Sequence, residues 1–201
     1  MYRSLWIFIL FNILVYGTVA SNLPEYELFV PVQSAVSGTS TDALPILSIG
    51  YVPSGCTELS MLVSISIWNT GKIIWSKDGI KGGLPYCQGK IEDEQLTNAL
   101  KALREERIFD DQKLFAFYPG PDNAYCVVNV IDGDKMLCMT SSFDFAKLID
   151  DASDRSRKYY AKWKKITQII RALIPKEGAE VEYHYSVKRI KYIFQGKQNN
   201  P

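Results

Sequence analysis

The most regular stretch of the chain is residues 61–68, where Met61, Val63, Ile65 and Ile67 take one phase and Leu62, Ser64, Ser66 and Trp68 the other. A period of two predicts a half-buried β-strand. Asn69, Thr70 and Gly71 supply turn chemistry, and residues 72–76 (KIIWS) return as a second strand, so this region predicts a hairpin. A second hairpin is predicted from residues 124–131 (AYCVVNVI), Asp132 and Gly133, and residues 135–140 (KMLCMT). Its first strand is apolar in both phases, Cys126, Val128 and Val130 in one and Tyr125, Val127 and Ile131 in the other, which predicts a central hairpin covered on both sides. Two registers are open. A three-residue loop closing through a bulge at Gly133 sets Val130 against Asp134 and Cys126 against Cys138; a two-residue Asp-Gly loop sets Cys126 against Met139. The first permits a cross-strand disulfide, and the second puts the two sulfurs on opposite faces.

A period near 3.6 takes over in two places. Leu96, Ala99, Leu100 and Leu103 recur at helical spacing behind Glu92, Asp93 and Glu94, with Lys101, Arg104 and Arg107 late, a charge order that suits the helix dipole and predicts a helix over 92–107. Tyr159, Trp163, Ile166, Ile170 and Leu173 predict a longer helix over 155–174, stopped by Pro175 and Gly178. Ser141 and Asp144 fit a capping box opening a short helix over 142–151. Residues 44–52 (LPILSIGYV) read as an edge strand, because Pro45 cannot donate to a ladder. Gly79, Gly82, Gly83 and Pro85 make the segment up to Cys87 a loop, and residues 118–122 another. Residues 181–194 read as one strand whose apolar phase flips near Lys188 and Arg189, as a bulge or break would produce. The expected fold is therefore α+β: a mainly antiparallel sheet of two hairpins plus flanking strands, with two or three packed helices.

The amino terminus reads differently. Arg3 precedes an apolar run, residues 5–16, interrupted only by Asn12, and small residues follow in Thr18, Val19 and Ala20. This is the pattern of a secretory signal peptide over 1–20, cleaved between Ala20 and Ser21. A bilayer-spanning helix needs about 20 predominantly apolar residues, and Gly17 and Thr18 end this run early, so an uncleaved anchor is the weaker reading. Residues 21–43 form an N-terminal segment and linker, with an apolar stretch over 26–32 and a small, polar one over 34–42; residues 44–194 form a single domain, and 195–201 a disordered tail. No transmembrane span is expected after signal removal, and the location expected is secreted, periplasmic or extracellular.

Charge and chemistry narrow the function only a little. Without Arg3, the 23 basic residues become 22, against 22 acidic ones, so no global preference for nucleic acid is expected. Cys56, Cys87, Cys126 and Cys138 are disulfide candidates in an exported chain, and their spacing matches no zinc site, so no metal or cofactor is expected. The one histidine, His184, lies in the terminal strand opposite its aromatic phase and reads as solvent-facing; no GxSxG, HExxH or GxxxxGK[ST] is present. These readings lean away from an enzyme and towards a non-catalytic binding or structural module meeting a protein or polymer outside the cytoplasm. Two alternatives stand beside it. One is an exported carboxylate-dependent hydrolase using Asp122 or Asp132. The other is a peripheral binder of anionic membrane or cell-wall surfaces through the basic helix 155–174, with Lys158, Lys162 and Lys165 as contacts. Trp68, Trp75 and Tyr118 are candidates for an exposed aromatic surface.

Overall fold

A computed structural model describes residues 25–33, 44–55, 61–109, 124–142, 154–182 and 185–193. Its elements are β1 (Glu25–Gln33), β2 (Leu47–Val52), β3 (Leu62–Ile67), β4 (Lys72–Ser76), β5 (Tyr86–Lys90), α1 (Asp93–Glu105), β6 (Tyr125–Asp132), β7 (Lys135–Ser142), α2 (Asp154–Arg171), β8 (Ala179–Val181) and β9 (Tyr185–Ile193). Seven strands form one antiparallel sheet in the order β7-β6-β2-β3-β4-β5-β8, and with α1 and α2 this is the expected α+β arrangement. β1 and β9 pair as a separate two-stranded sheet. By contacts the chain divides into Met1–Glu27 with Lys191–Pro201, and Leu28–Ile190, which holds the seven-stranded sheet and both helices.

The residues expected at the edge occupy the middle. β2 pairs with β3 on one side and β6 on the other, because Pro45 stands before the strand and leaves its ladder intact. The ladder begins just after that proline, where Ile46 N–H donates to Ile67 O at 2.8 Å and Ile131 N–H donates to Ile46 O at 2.7 Å. β3 is buried on both faces rather than on one, and its alternation is broken by a bulge. Ile49 opposes Ile65 but Gly50 opposes Val63, so Ser64 is the extra residue. Ile65 and Ile67 therefore stay with the helix-covered core, while Val63 joins Trp68, Ile74 and Tyr86, and Met61 joins Val52, Tyr125 and Val127. Gly50 makes room for this shift, since a Cβ there would collide with the Met61 thioether.

Both helices pack on the Ile65 face. α1 buries Leu96 and Leu103, and α2 buries Tyr159, Ile166 and Ile170, all in one cluster with Leu47, Ile49, Ile73, Val128, Val130, Leu137 and Met139. The opposite face is buried as well and carries a polar row across its centre. Asn129 opposes Ser48, Ser48 opposes Ser66, and the Asn129 amide donates to Ser48 Oγ at 3.1 Å. Cys138 continues the row by pairing with Asn129.

The second hairpin adopts neither expected register. Asp132 pairs with Lys135, so the turn residues are Gly133 and Asp134, with Gly133 at φ +62°. Asp132 is kept in the strand because Arg104 holds its carboxylate through two hydrogen bonds, Nε to Oδ2 at 2.6 Å and Nη2 to Oδ1 at 2.7 Å. β6 is covered on both sides as expected, but β7 is the terminal strand of the sheet. Its outward edge is occupied at one point by α2: the Tyr159 hydroxyl accepts from Thr140 N–H at 2.9 Å and donates to Thr140 O at 2.6 Å. That arrangement satisfies both backbone groups of an edge residue.

Two further differences concern the carboxyl-terminal half and the loop before α1. The expected single strand over 181–194 is two strands in different sheets, β8 beside β5 and β9 beside β1. The break falls before Tyr185, whereas the phase change near Lys188 and Arg189 lies inside β9 and is not explained by it. β5 was hidden because Gln88 and Gly89 carry no apolar alternation; Gly89 sits under the Trp75 ring, where a Cβ would approach it to 3.2 Å. Ser141, expected to cap a short helix over 142–151, and Ser142 are instead the last residues of β7, paired with Cys126 and Tyr125. The rest of that helix, the expected signal segment 1–20, the loop over 118–122, the tail, Ser21, Cys56, Asp122, Tyr118 and His184 lie outside the described residues. Replacing Tyr159 by Phe removes the group that both donates to and accepts from Thr140. Urea unfolding is expected to show a loss of about 1–3 kcal/mol with an unchanged m value.

Candidate binding surface

Among residues 44–55, 61–109, 124–141 and 157–182, three large hydrophobic side chains are exposed, and all three gather at one loop. Ile80 is 60% and Leu84 66% exposed, both within the connection between β4 and β5, and Leu62, 38% exposed, lies beneath Gly83 at the start of β3. An apolar side chain on a floppy loop would carry little meaning, but this loop is fixed. Lys77 N–H donates to Pro85 O at 3.0 Å, closing the base, and Gly82 N–H donates to Asp78 O at 2.9 Å. Gly83 N–H donates to Val63 O at 3.0 Å and straps the loop to β3.

The residue types explain why the chain turns here. Asp78 Oδ1 accepts from Lys81 N–H at 2.9 Å and from Ile80 N–H at 3.0 Å, an aspartate-capped turn, and these bonds hold its carboxyl below the usual carboxylate range. Gly82 has φ +77° and passes so close to β3 that a Cβ would lie 2.5 Å from Val63 O. Only glycine fits both demands. Burial raises the Tyr86 phenol above its ordinary pKa, and backbone hydrogen bonds at Val63 and Gly83 oppose that rise.

Beside the loop runs an open groove of about 550 Å³. Trp75, Cys87 and Ile174 line it, with Lys77, Gly79, Lys176 and Glu177 at its walls. Lys77 pairs with Glu180 on β8, and that hydrogen bond raises the ammonium above its ordinary pKa. The loop and the groove share Lys77 and Gly79, so they form one continuous surface at one end of the sheet.

The residues singled out from the sequence fall elsewhere. Asp132 is tied to Arg104, which holds its carboxyl below the usual range and keeps it ionised, unsuited to donating a proton. Trp68 and Trp75 are 6% and 8% exposed, so neither forms an exposed aromatic surface. Of the helix lysines, Lys162 donates to Arg107 O at 3.3 Å and Lys165 lies 3.8 Å from Glu106, both serving the carboxyl-terminal end of α1, while Lys158 is exposed. Among the described residues no group of three His, Cys, Asp or Glu side chains is placed to hold a metal, and no helix is long and apolar enough to cross a membrane.

Cys87, Cys126 and Cys138 are free thiols. Cys126 opposes Ser141 and Cys138 opposes Asn129, an odd offset that puts the two sulfurs on opposite faces of the sheet and removes the cross-strand disulfide that the first register would have permitted. No protein-family model matches the chain, and no curated protein and no solved structure matches it either.

Sequence reading missed this surface because Gly-Gly-Leu-Pro composition marks a loop without saying which side chains it displays. The available signal was Ile80 and Leu84 themselves, large apolar residues in a glycine-rich stretch that belongs to no periodic pattern. The buried acids of the fold generate an alkaline prediction. Burial pushes the Cys126 thiol to about 11, the Cys138 thiol to about 12 and the Tyr159 phenol to about 12. A raised folded-state pKa gives stability that is complete below the unfolded pKa and lost as pH rises through the folded one. Urea unfolding at about pH 8 and about pH 10.5 should therefore differ by on the order of 4 kcal/mol, the alkaline sample being weaker, and Tyr159→Phe should shrink that difference by the smaller part, under about 1 kcal/mol.

Proposed function

We propose that this chain is an exported, non-catalytic binding module whose recognition surface is the loop 77–85 with the groove beside it. The observation that carries the reading is the placement of Ile80, Leu84 and Leu62: three exposed large hydrophobics converge on one strapped loop. Exposed apolar groups gathered in a patch mark contact sites, whereas scattered ones need no explanation. A rigid loop also loses little conformational freedom on binding, so more of the contact energy remains as affinity. Export rests on the signal-peptide pattern of residues 1–20, and it places the partner outside the cytoplasm, in the secreted, periplasmic or extracellular space.

The hydrolase alternative is weaker on this reading, because Asp132 is an ion-pair partner of Arg104 at the far end of α1. The test is site-specific photocrosslinking in the native cell, with a benzophenone amino acid at position 84 and, as a control, at Lys101 on the exposed side of α1. Position 84 is expected to give a discrete adduct, to protein, polymer or lipid, that position 101 does not give. Mass spectrometry of the same material is expected to read an amino terminus at Ser21. Equal adducts at both positions, or none at 84, would overturn the assignment of the surface.

A further inference from the structure

The loop's chemistry points past the fact of binding to the kind of partner, and this inference rests on the reading just given. We propose that loop 77–85 docks this protein on an anionic lipid bilayer, with Ile80 and Leu84 entering the interface and Lys81 meeting lipid phosphates. The exposed side chains on the loop are aliphatic or charged, with Lys77 and Lys81 against the single acid Asp78. Between Lys77 and Pro85 it has no Trp, Tyr or Arg, the residues that dominate protein–protein hot spots, where leucine is under-represented. Aliphatic tips beside lysine are the combination that partitions to the boundary between headgroups and acyl chains.

The charges at the tip have the matching arrangement. The loop's single acid, Asp78, spends one carboxylate oxygen on the Ile80 and Lys81 N–H groups, while Lys81 is exposed beside Ile80. Lys77 is balanced by Glu180. At the adjoining groove wall Lys176 is exposed, and Arg171 reaches the loop, its Nη1 lying 4.0 Å from the Cβ position of Gly79. Arg171 and Lys176 thus stand near Gly79 and add positive charge to that of Lys81 at the foot of the aliphatic tip, offset in part by Glu177 on the same groove wall.

The placement also separates this surface from the basic helix. Lys162 and Lys165 are engaged with the end of α1. Lys158 stands thirteen residues from Arg171 (171 − 158). That separation is about 20 Å along the helix axis. A bilayer against Ile80 and Leu84 meets the Arg171 end of α2, not the Lys158 end.

The experiment places an environment-sensitive fluorescent amino acid at position 84 of the full chain and, in a separate sample, at position 101. Each is mixed with vesicles of phosphatidylcholine containing phosphatidylglycerol, with brominated acyl chains as depth quenchers. The expected result is quenching at 84 and none at 101. Half-saturation should move to about fivefold to tenfold more lipid for Lys81→Glu. Lys158→Gln should leave it unchanged, and raised salt should weaken the quenching. Because the readout is local to position 84, membrane attachment through any other segment does not produce it. Absence of quenching at 84 in these vesicles at low salt would overturn the proposal, as would equal quenching at 101 or indifference to Lys81→Glu. Failure here together with a protein adduct at position 84 would leave the binding surface standing and assign it a protein partner; failure with no adduct would remove both.

Discussion

The pairing of β2 with β3 on one side and β6 on the other is the constraint from which the rest of the main unit follows. β2 is buried along almost its whole length, so neither face offers a solvent-exposed position at which a register error would be harmless. A slip by one residue would turn Leu47 and Ile49 towards the polar row and bring Ser48 into the cluster formed with α1 and α2. The bulge at Ser64 shows the same constraint from the other strand: one extra residue moves Val63 and Met61 onto the second face without disturbing Ile65 and Ile67 on the first.

That bulge also bears on the binding surface. Val63, just before it, lends its carbonyl to Gly83 and its close approach to Gly82, so the loop between β4 and β5 is held by β3, the strand paired with β2. Asp78, Gly82 and Gly83 then shape the loop, and Ile80, Lys81 and Leu84 are left exposed at its tip. The burial that makes a stable sheet and the exposure that makes a contact surface meet within a few residues of Val63.

The parts legible in the sequence were those in which one periodicity persists. The two helices are placed by Leu96, Ala99 and Leu103 and by Tyr159, Ile166 and Ile170, all of which are buried. The two hairpins are placed by their turn residues. Elsewhere a long-range partner overrode the local signal. Asp132 looked like a turn residue until Arg104, 28 positions away, drew it into the strand. Pro45 looked like an edge marker because the sequence does not show that the ladder begins only at Ile46. β5 escaped notice because Gly89 is defined by the Trp75 ring above it, and no alternation survives in Tyr86–Lys90. The candidate surface was the least legible part, since exposure of Ile80 and Leu84 follows from how Val63, Asp78 and the glycines hold the loop.

The central claim is that loop 77–85 is a fixed, pre-formed surface, and amide hydrogen exchange on the free protein tests it most directly. The amides of Ile80, Lys81, Gly82 and Gly83, each donating to a named acceptor, are predicted to exchange at least about a hundredfold more slowly than in an unstructured chain. Exchange of these amides at the unstructured rate would contradict the account, because the aliphatic tip would then have no fixed geometry to present.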